Sequence, residues 1–405
     1  MSASRGAVVF SVLALCALGT VMIYSASAPA ADRLTGDGDN TLVKHLFWLG
    51  LGLCAFAAAS VVEVRKFEQA APWIFGGALA LLVAVLIPGI GSEVNGARRW
   101  FRAGDLSFQP SELMKIGLPV FLAWYLGRDP ERARSFKRGF LPAAGAIALA
   151  VGLTAIEPDL GTAALLAIAG SCVAILGGVR LLHAIPCALA VLPVAAVGAY
   201  FKFQHAQERI FVFLNPDADP LGRGYQIKQA LIALGSGGTC GAGLGMSRQK
   251  LFFLPEKHTD FIFSIVGEEL GLVGTLGVIG LFLFLLWHGR AIARRCPSAF
   301  GALAAAGMLA SVGFQAAMNI AVVTASMPTK GISLPFLSFG GSGLFFTLAA
   351  MGFVISAGRE PAEAQPSPAS ASPALSERSE SKGLRQPPPA PAGLAPAYHS
   401  PEPPQ

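Results

Sequence analysis

The sequence predicts an all-α, polytopic membrane protein. Only 13% of its 405 residues are charged while 53% are hydrophobic, and a soluble domain carries about one quarter charged residues. Apolar runs of about 20 residues recur along the chain, each long enough to cross a hydrocarbon core about 30 Å thick. A membrane β-barrel would show short alternating segments instead.

Ten candidate spans follow, near 7–27, 45–63, 72–90, 111–127, 139–156, 160–177, 182–200, 262–287, 300–322 and 341–357. The first is too long for the apolar region of a signal peptide, so it is read as a span. The six cysteines have no paired spacing, which predicts neither a disulfide framework nor a zinc site. The short loops RKFE (65–68), GRDPERARSFKR (127–138) and HGRAIARR (288–295) are basic and fall on one side by alternate counting. The positive-inside rule makes that side cytoplasmic and places both termini there. Residues 1–358 form the membrane domain in this reading. Residues 359–405, rich in Pro, Ala and Ser, are expected to be a disordered cytoplasmic tail.

The outer loops break the charge rule. NGARRWFRAG (95–104) carries Arg98, Arg99 and Arg102, and the long loop 201–261 carries seven Lys or Arg, among them Arg248 and Lys250. Long segments translocate regardless of charge, which explains the second group better than the first. An anion site at the outer surface is the alternative, because guanidinium groups suit phosphate. The same loop holds GYQIKQALIALGSGG (224–238), which predicts a short amphipathic helix lying in the interface, with Tyr225, Ile227, Leu231, Ile232 and Leu234 on one face. The glycines after it match neither a P-loop nor a dinucleotide-binding turn and are read as a sharp chain reversal.

Ionisable groups in or beside spans are expensive and point to function. Glu112 and Lys115 lie one turn apart and are expected to neutralise each other. Asp159 follows Glu157 in a tight outer turn and suits the N-cap of the next span. Glu268 and Glu269 fall about two turns into the eighth span, where at least one should meet a cation. The stretch LPEKHTDFIFSIVGEELG (254–271) leaves two readings open for Asp260. It is an N-cap, or it is a general base at the outer interface. His258 has no second ligand at metal spacing.

Six segments occurring in order then give a resemblance: NGARRW, FQPSE, PDLGT, GYQI, LPEKHTDFIFSIVGEELG and LPFLSFGGS. The chain resembles the SEDS proteins (shape, elongation, division and sporulation), from the first span to about residue 357. The direct run from the glycines into LFFLPEKHTDF makes it similar to the FtsW-like division branch rather than the RodA-like elongation branch. The resemblance implies a ten-span peptidoglycan glycosyltransferase of the bacterial cytoplasmic membrane, acting at the division septum. Its substrate would be lipid II and its partners a class B penicillin-binding protein, other divisome proteins and membrane lipids, with no nucleic acid. It also implies that Asp260 is the catalytic residue. Around it, Arg98, Arg99, Arg248 and Lys250 are expected to meet the diphosphate, with His258 and Thr259 beside the base. A divalent cation (Mg or Mn) at the diphosphate is an optional cofactor. Two departures stand out: Glu157 occupies a position where Gln is common, and SFGGSG replaces SYGGSS. A lipid II flippase is the rival reading.

Overall fold

The computed structural model describes residues 2–31, 41–94, 97–104, 106–202, 204–215, 217, 219, 222–250 and 259–359. The chain is built of helices, with one small sheet. The helices are α1 (Ser2–Ala31), α2 (Thr41–Val61), α3 (Val64–Leu86), α4 (Pro110–Gly127), α5 (Pro130–Arg134), α6 (Leu141–Ile156) and α7 (Leu160–Leu176). There follow α8 (Leu181–Lys202), α9 (Gln204–Leu214), α10 (Arg223–Ser236), α11 (Ile262–Arg295), α12 (Ala299–Val323) and α13 (Ser342–Ala357). Each of the ten expected spans falls on one of them. Among the described residues, six helical segments are long and apolar enough to cross a membrane, and three shorter apolar ones, Leu160–Leu176, Leu181–Ala190 and Ser342–Ala357, accompany them.

Two apolar cores meet at α12. One gathers α1, α11, α12, α13 and the loop residues Leu334, Phe336 and Leu337. The other gathers α3, α4, α6 and α7. Large apolar side chains such as Trp73, Leu182 and Trp287 face outward, as lipid-facing surfaces require. α2 and α13 approach closely because small residues stand at their contact: a side chain on Gly352 would lie 2.4 Å from the Phe56 carbonyl oxygen, and one on Gly52 2.6 Å from Leu348. Close backbone approach through small residues is the usual route to helix packing in lipid, where burial gives no hydrophobic gain.

One outer segment departs from the all-helical expectation. Residues 92–108 form a three-stranded antiparallel sheet of β1 (Ser92–Val94), β2 (Ala97–Ala103) and β3 (Leu106–Phe108). Gly104, at φ 60, turns the second hairpin, and Phe101 pairs with Phe108 across it. The ring of Phe108 also meets Phe346 of α13, which ties the sheet to the helical body.

The expected helix after residue 223 is present as α10, with a different buried face. Ile227, Ala230 and Ala233 are buried, and α10 packs on α11, while Leu231 and Ile232 stay exposed. The small alanines allow the close approach, and the larger apolar residues are left for the bilayer side.

The glycine-rich segment beyond α10 does more than turn. α11 is broken at Gly271, whose φ of 67 and ψ of −161 lie outside helical space. A break frees backbone donors and acceptors, and these are costly away from water. Residues 238–243 satisfy them: Ala242 N donates to Glu268 O at 2.9 Å and Gly243 N to Glu269 O at 3.1 Å. In return Leu272 N donates to Gly238 O at 2.9 Å and Val273 N to Thr239 O at 3.1 Å. A side chain on Gly241 would lie 2.1 Å from the Glu269 carbonyl oxygen, so glycine is required there by space as well as by its φ of 81.

Candidate functional site

A cavity of about 330 Å³ opens where the ends of several elements converge. β2 supplies Arg99, Trp100 and Arg102. The start of α4 supplies Gln109, Glu112 and Lys115, and the start of α7 supplies Asp159 and Thr162. Thr259 and Asp260 enter just before α11, Gln315 from α12, and residues 331–333 and 339–341 from the loop before α13.

The N-cap of α11 is Phe261, with no side-chain cap hydrogen bond. Asp260 stands one residue before that position. Its carboxylate belongs to the cavity wall, and Oδ2 lies 3.6 Å from the place a side chain on Gly331 would occupy. The main chain here is held from the side: Asn319 Nδ2 donates to Asp260 O at 2.8 Å, and Ser338 Oγ donates to Thr259 O at 2.6 Å.

Asp159 is the cap that its position predicted. Its Oδ1 accepts from Thr162 N at 3.0 Å, and its Oδ2 accepts from Gln109 Nε2 at 3.0 Å. Glu112 and Lys115 form a buried pair at 2.5 Å, and Lys115 Nζ also donates to Gln315 Oε1 at 2.8 Å. Gln315 Nε2 in turn donates to Ser333 O at 2.9 Å. A polar chain thus runs from α4 through α12 to the loop that borders Asp260.

Glu157 was not a predicted site residue, and its surroundings are unusual. It is fully buried, and neither carboxyl oxygen has a hydrogen-bond partner among the described residues. Burial, helped by the Asp159 carboxylate and opposed by Arg99, pushes its pKa up from 4.5 to about 9. The group is a neutral acid at pH 7, a chemical near-equivalent of glutamine.

Three expected residues do not line the cavity. Arg98 is not in the cavity: its Nε donates to Glu93 Oε2 at 3.1 Å across the β1–β2 hairpin. Arg248 is exposed, and its backbone N donates to Glu268 Oε1 at 2.8 Å. Lys250 is buried, with Nζ 3.0 Å from Glu269 Oε1, 3.0 Å from Ser25 Oγ and 2.6 Å from Gly245 O. An ammonium so enclosed is structural, its desolvation offset by partners such as these. The cation expected for the GEELG carboxylates is therefore Lys250, on Glu269. Glu268 instead accepts from the Ser247 hydroxyl and from the backbone at Arg248 and Gln249. His258 lies outside the described residues.

Sequence reasoning missed several cavity residues. Arg102 was seen as loop charge only, and its β2 neighbour Arg99 gave the signal that could have included it. Gln109, Gln315 and Ser333 are neutral and carry no pattern. Lys330, next to Gly331, was also missed. Burial first and Arg209 second pull its pKa below the ordinary lysine value, which weakens its hold on a proton.

Fold and site together define a helical membrane protein with a charged reaction chamber at one end of its bundle. The chain belongs to the family described as Cell cycle protein, FTSW_RODA_SPOVE, whose model matches residues 6–363. It is 40% identical over 349 residues to "Stage V sporulation protein E" of Bacillus subtilis, covering 86% of this chain and 94% of that one. It is 39% identical over 344 residues to "Probable peptidoglycan glycosyltransferase FtsW" of Trichlorobacter lovleyi, covering 85% and 90%. A solved chain described as "Structural coordination of polymerization and crosslinking by a peptidoglycan synthase complex" superposes with a TM-score of 0.71 at 34% identity, covering 87% of this chain and 96% of that one. The rod shape determining protein RodA of Thermus thermophilus superposes with a TM-score of 0.63 at 32% identity, covering 87% and 95%.

Proposed function

We propose that the chain is a peptidoglycan glycosyltransferase that polymerises lipid II into β-1,4-linked glycan at the outer face of the bacterial cytoplasmic membrane. The observation that carries this reading is the shared cavity of Asp260, Arg99 and Arg102. A carboxylate on the cavity wall suits a general base, and two guanidinium groups suit a diphosphate.

In this mechanism Asp260 accepts the proton of the acceptor sugar's 4-hydroxyl. The oxygen attacks the anomeric carbon of the donor from the face opposite its diphosphate. The carbon–oxygen bond to undecaprenyl diphosphate breaks with inversion, and Arg99 and Arg102 stabilise the departing charge. Thr259 lines the same wall. Glu112, Lys115 and Asp159 hold the chamber's shape through the hydrogen bonds above. Among the described residues no three His, Cys, Asp or Glu side chains form a metal cage, so an Mg or Mn ion would rest mainly on substrate oxygens, and no step here passes through it.

The partner in this reading is a class B penicillin-binding protein, alongside other divisome proteins. In this reading the chain works at the division septum, the basic short loops keep both termini cytoplasmic, and relatives bear the FtsW name. Transport of lipid II is the second reading, and the break in α11 is the feature that favours it, since transporters use broken helices along their path. The break at Gly271 is filled by the chain's own backbone, which supports the polymerase instead.

The test is polymerisation of fluorescent lipid II by purified protein with a class B penicillin-binding protein. Wild type should give a glycan ladder and Asp260→Asn none. A ladder from Asp260→Asn would remove the base assignment, and lipid movement without a ladder would favour transport.

A further inference from the structure

Asp260 stands one residue before Phe261, the N-cap position of α11. Aspartate is among the best N-cap residues, so a one-residue slip of the main chain would bring it to the cap, and a carboxylate turned back onto its own helix would be lost as a base. The main chain must be held against that slip.

Two buried side chains grip the main chain at this point. Asn319, on α12, donates from one amide nitrogen to two carbonyls, Asp260 O and Ile332 O, each at 2.8 Å. With two carbonyl acceptors on the same side, the amide has a single workable orientation, because its oxygen could accept from neither. Its Oδ1 has no hydrogen-bond partner among the described residues. The buried amide is thus kept at the cost of an unsatisfied acceptor, which marks the two donated bonds as the reason it is there. Ser338, on the loop before α13, donates to Thr259 O at 2.6 Å while accepting from Leu334 N at 2.8 Å. That loop is rigid: Leu334, Phe336 and Leu337 are buried in the main core, and Phe336 holds a φ of 65, strained for a non-glycine residue.

We propose that Asn319 and Ser338 are positioning residues for the reaction: by holding the carbonyls of Asp260 and Thr259, they keep Asp260 out of the N-cap of α11 and aim its carboxylate at the cavity. The inference rests on the reading of Asp260 as the base. It adds that the base is set by a competition between two local structures, decided by two distant side chains.

The experiment compares Asn319→Ala, Ser338→Ala, Ser338→Thr and Asp260→Asn in the lipid II polymerisation assay. Rates are measured from pH 5 to pH 9, and folded protein is quantified by size exclusion. Both alanine variants should lose about 10- to 100-fold in turnover, the cost of a misplaced reacting group, with substrate KM little changed. Their acid limb should also move to lower pH, because a carboxylate accepting helix N–H bonds is a weaker base. Ser338→Thr keeps the hydroxyl and should recover most of the rate. A purely structural role would lower the amount of folded enzyme and leave the limb where it is. Should Asn319→Ala not survive extraction, Ser338→Ala, which removes a single hydroxyl, carries the same readout. Wild-type turnover and an unmoved acid limb in the alanine variants, with Asp260→Asn inactive, overturn the proposal. Activity in Asp260→Asn overturns the base assignment instead.

Discussion

Glu157 shows how one side chain can be read through its protonation. A carboxyl held at a pKa of about 9 by burial binds a proton that the unfolded chain releases near 4.5. Its contribution to stability is full below pH 4.5 and is lost as pH rises towards 9. The melting temperature of the purified protein should therefore fall between pH 5 and pH 9. Glu157→Gln should flatten that slope and raise the melting temperature at pH 8 by a few degrees. At neutral pH the protonated Glu157 and a glutamine would present nearly the same group. Lys250 and Glu269 form a buried ion pair. Lys250→Ala would strand the Glu269 carboxylate and should destabilise the protein by about 3–5 kcal/mol, read as loss of the folded peak in detergent. Replacing both residues by apolar side chains of similar volume should recover much of it.

At the scale of elements, the helices were legible because about 20 apolar residues have few other uses. Asp159 was legible as a cap because cap chemistry is local. The sheet at 92–108 was not, since strands of three to seven residues rich in arginine give no clear period. Lys250 and Arg98 were misread because sequence shows a charge but not its partner: the ion pair of Lys250 reaches α11 and its hydroxyl contact reaches α1. The glycines after α10 were seen as a turn, while their target, about 30 residues further on, was invisible. That target makes a graded prediction. Gly241→Ala should abolish the folded peak, since its side chain would lie 2.1 Å from backbone. Gly243→Ala should be milder, with its nearest contact at 3.7 Å from a flexible methionine, though its φ of 102 still imposes strain. Gly277→Ala, with nothing within 4 Å, should be neutral or slightly stabilising.

For the whole molecule, residues Met1–Pro361 form one compact unit, and the family match ends at residue 363. A chain cut after Pro361 should keep its melting temperature and its polymerisation of lipid II. A loss of either would give the remaining residues a role in the fold or the reaction. The chamber itself is a property of the assembled bundle: its wall draws on β2, α4, α7, α12 and two loops, segments more than 200 residues apart in the chain. Individual motifs announced Arg99, Asp159 and Asp260. Their common wall became visible only when the helices were packed.

The mend in α11 also bears on how the protein is made. Residues 238–243 precede α11 in the chain, so during synthesis the patch emerges before the helix it will repair. When the first half of α11 enters the bilayer, the segment able to take up its unpaired amides and carbonyls has already left the ribosome. The order of the sequence thus spares the nascent helix a period in lipid with an open backbone.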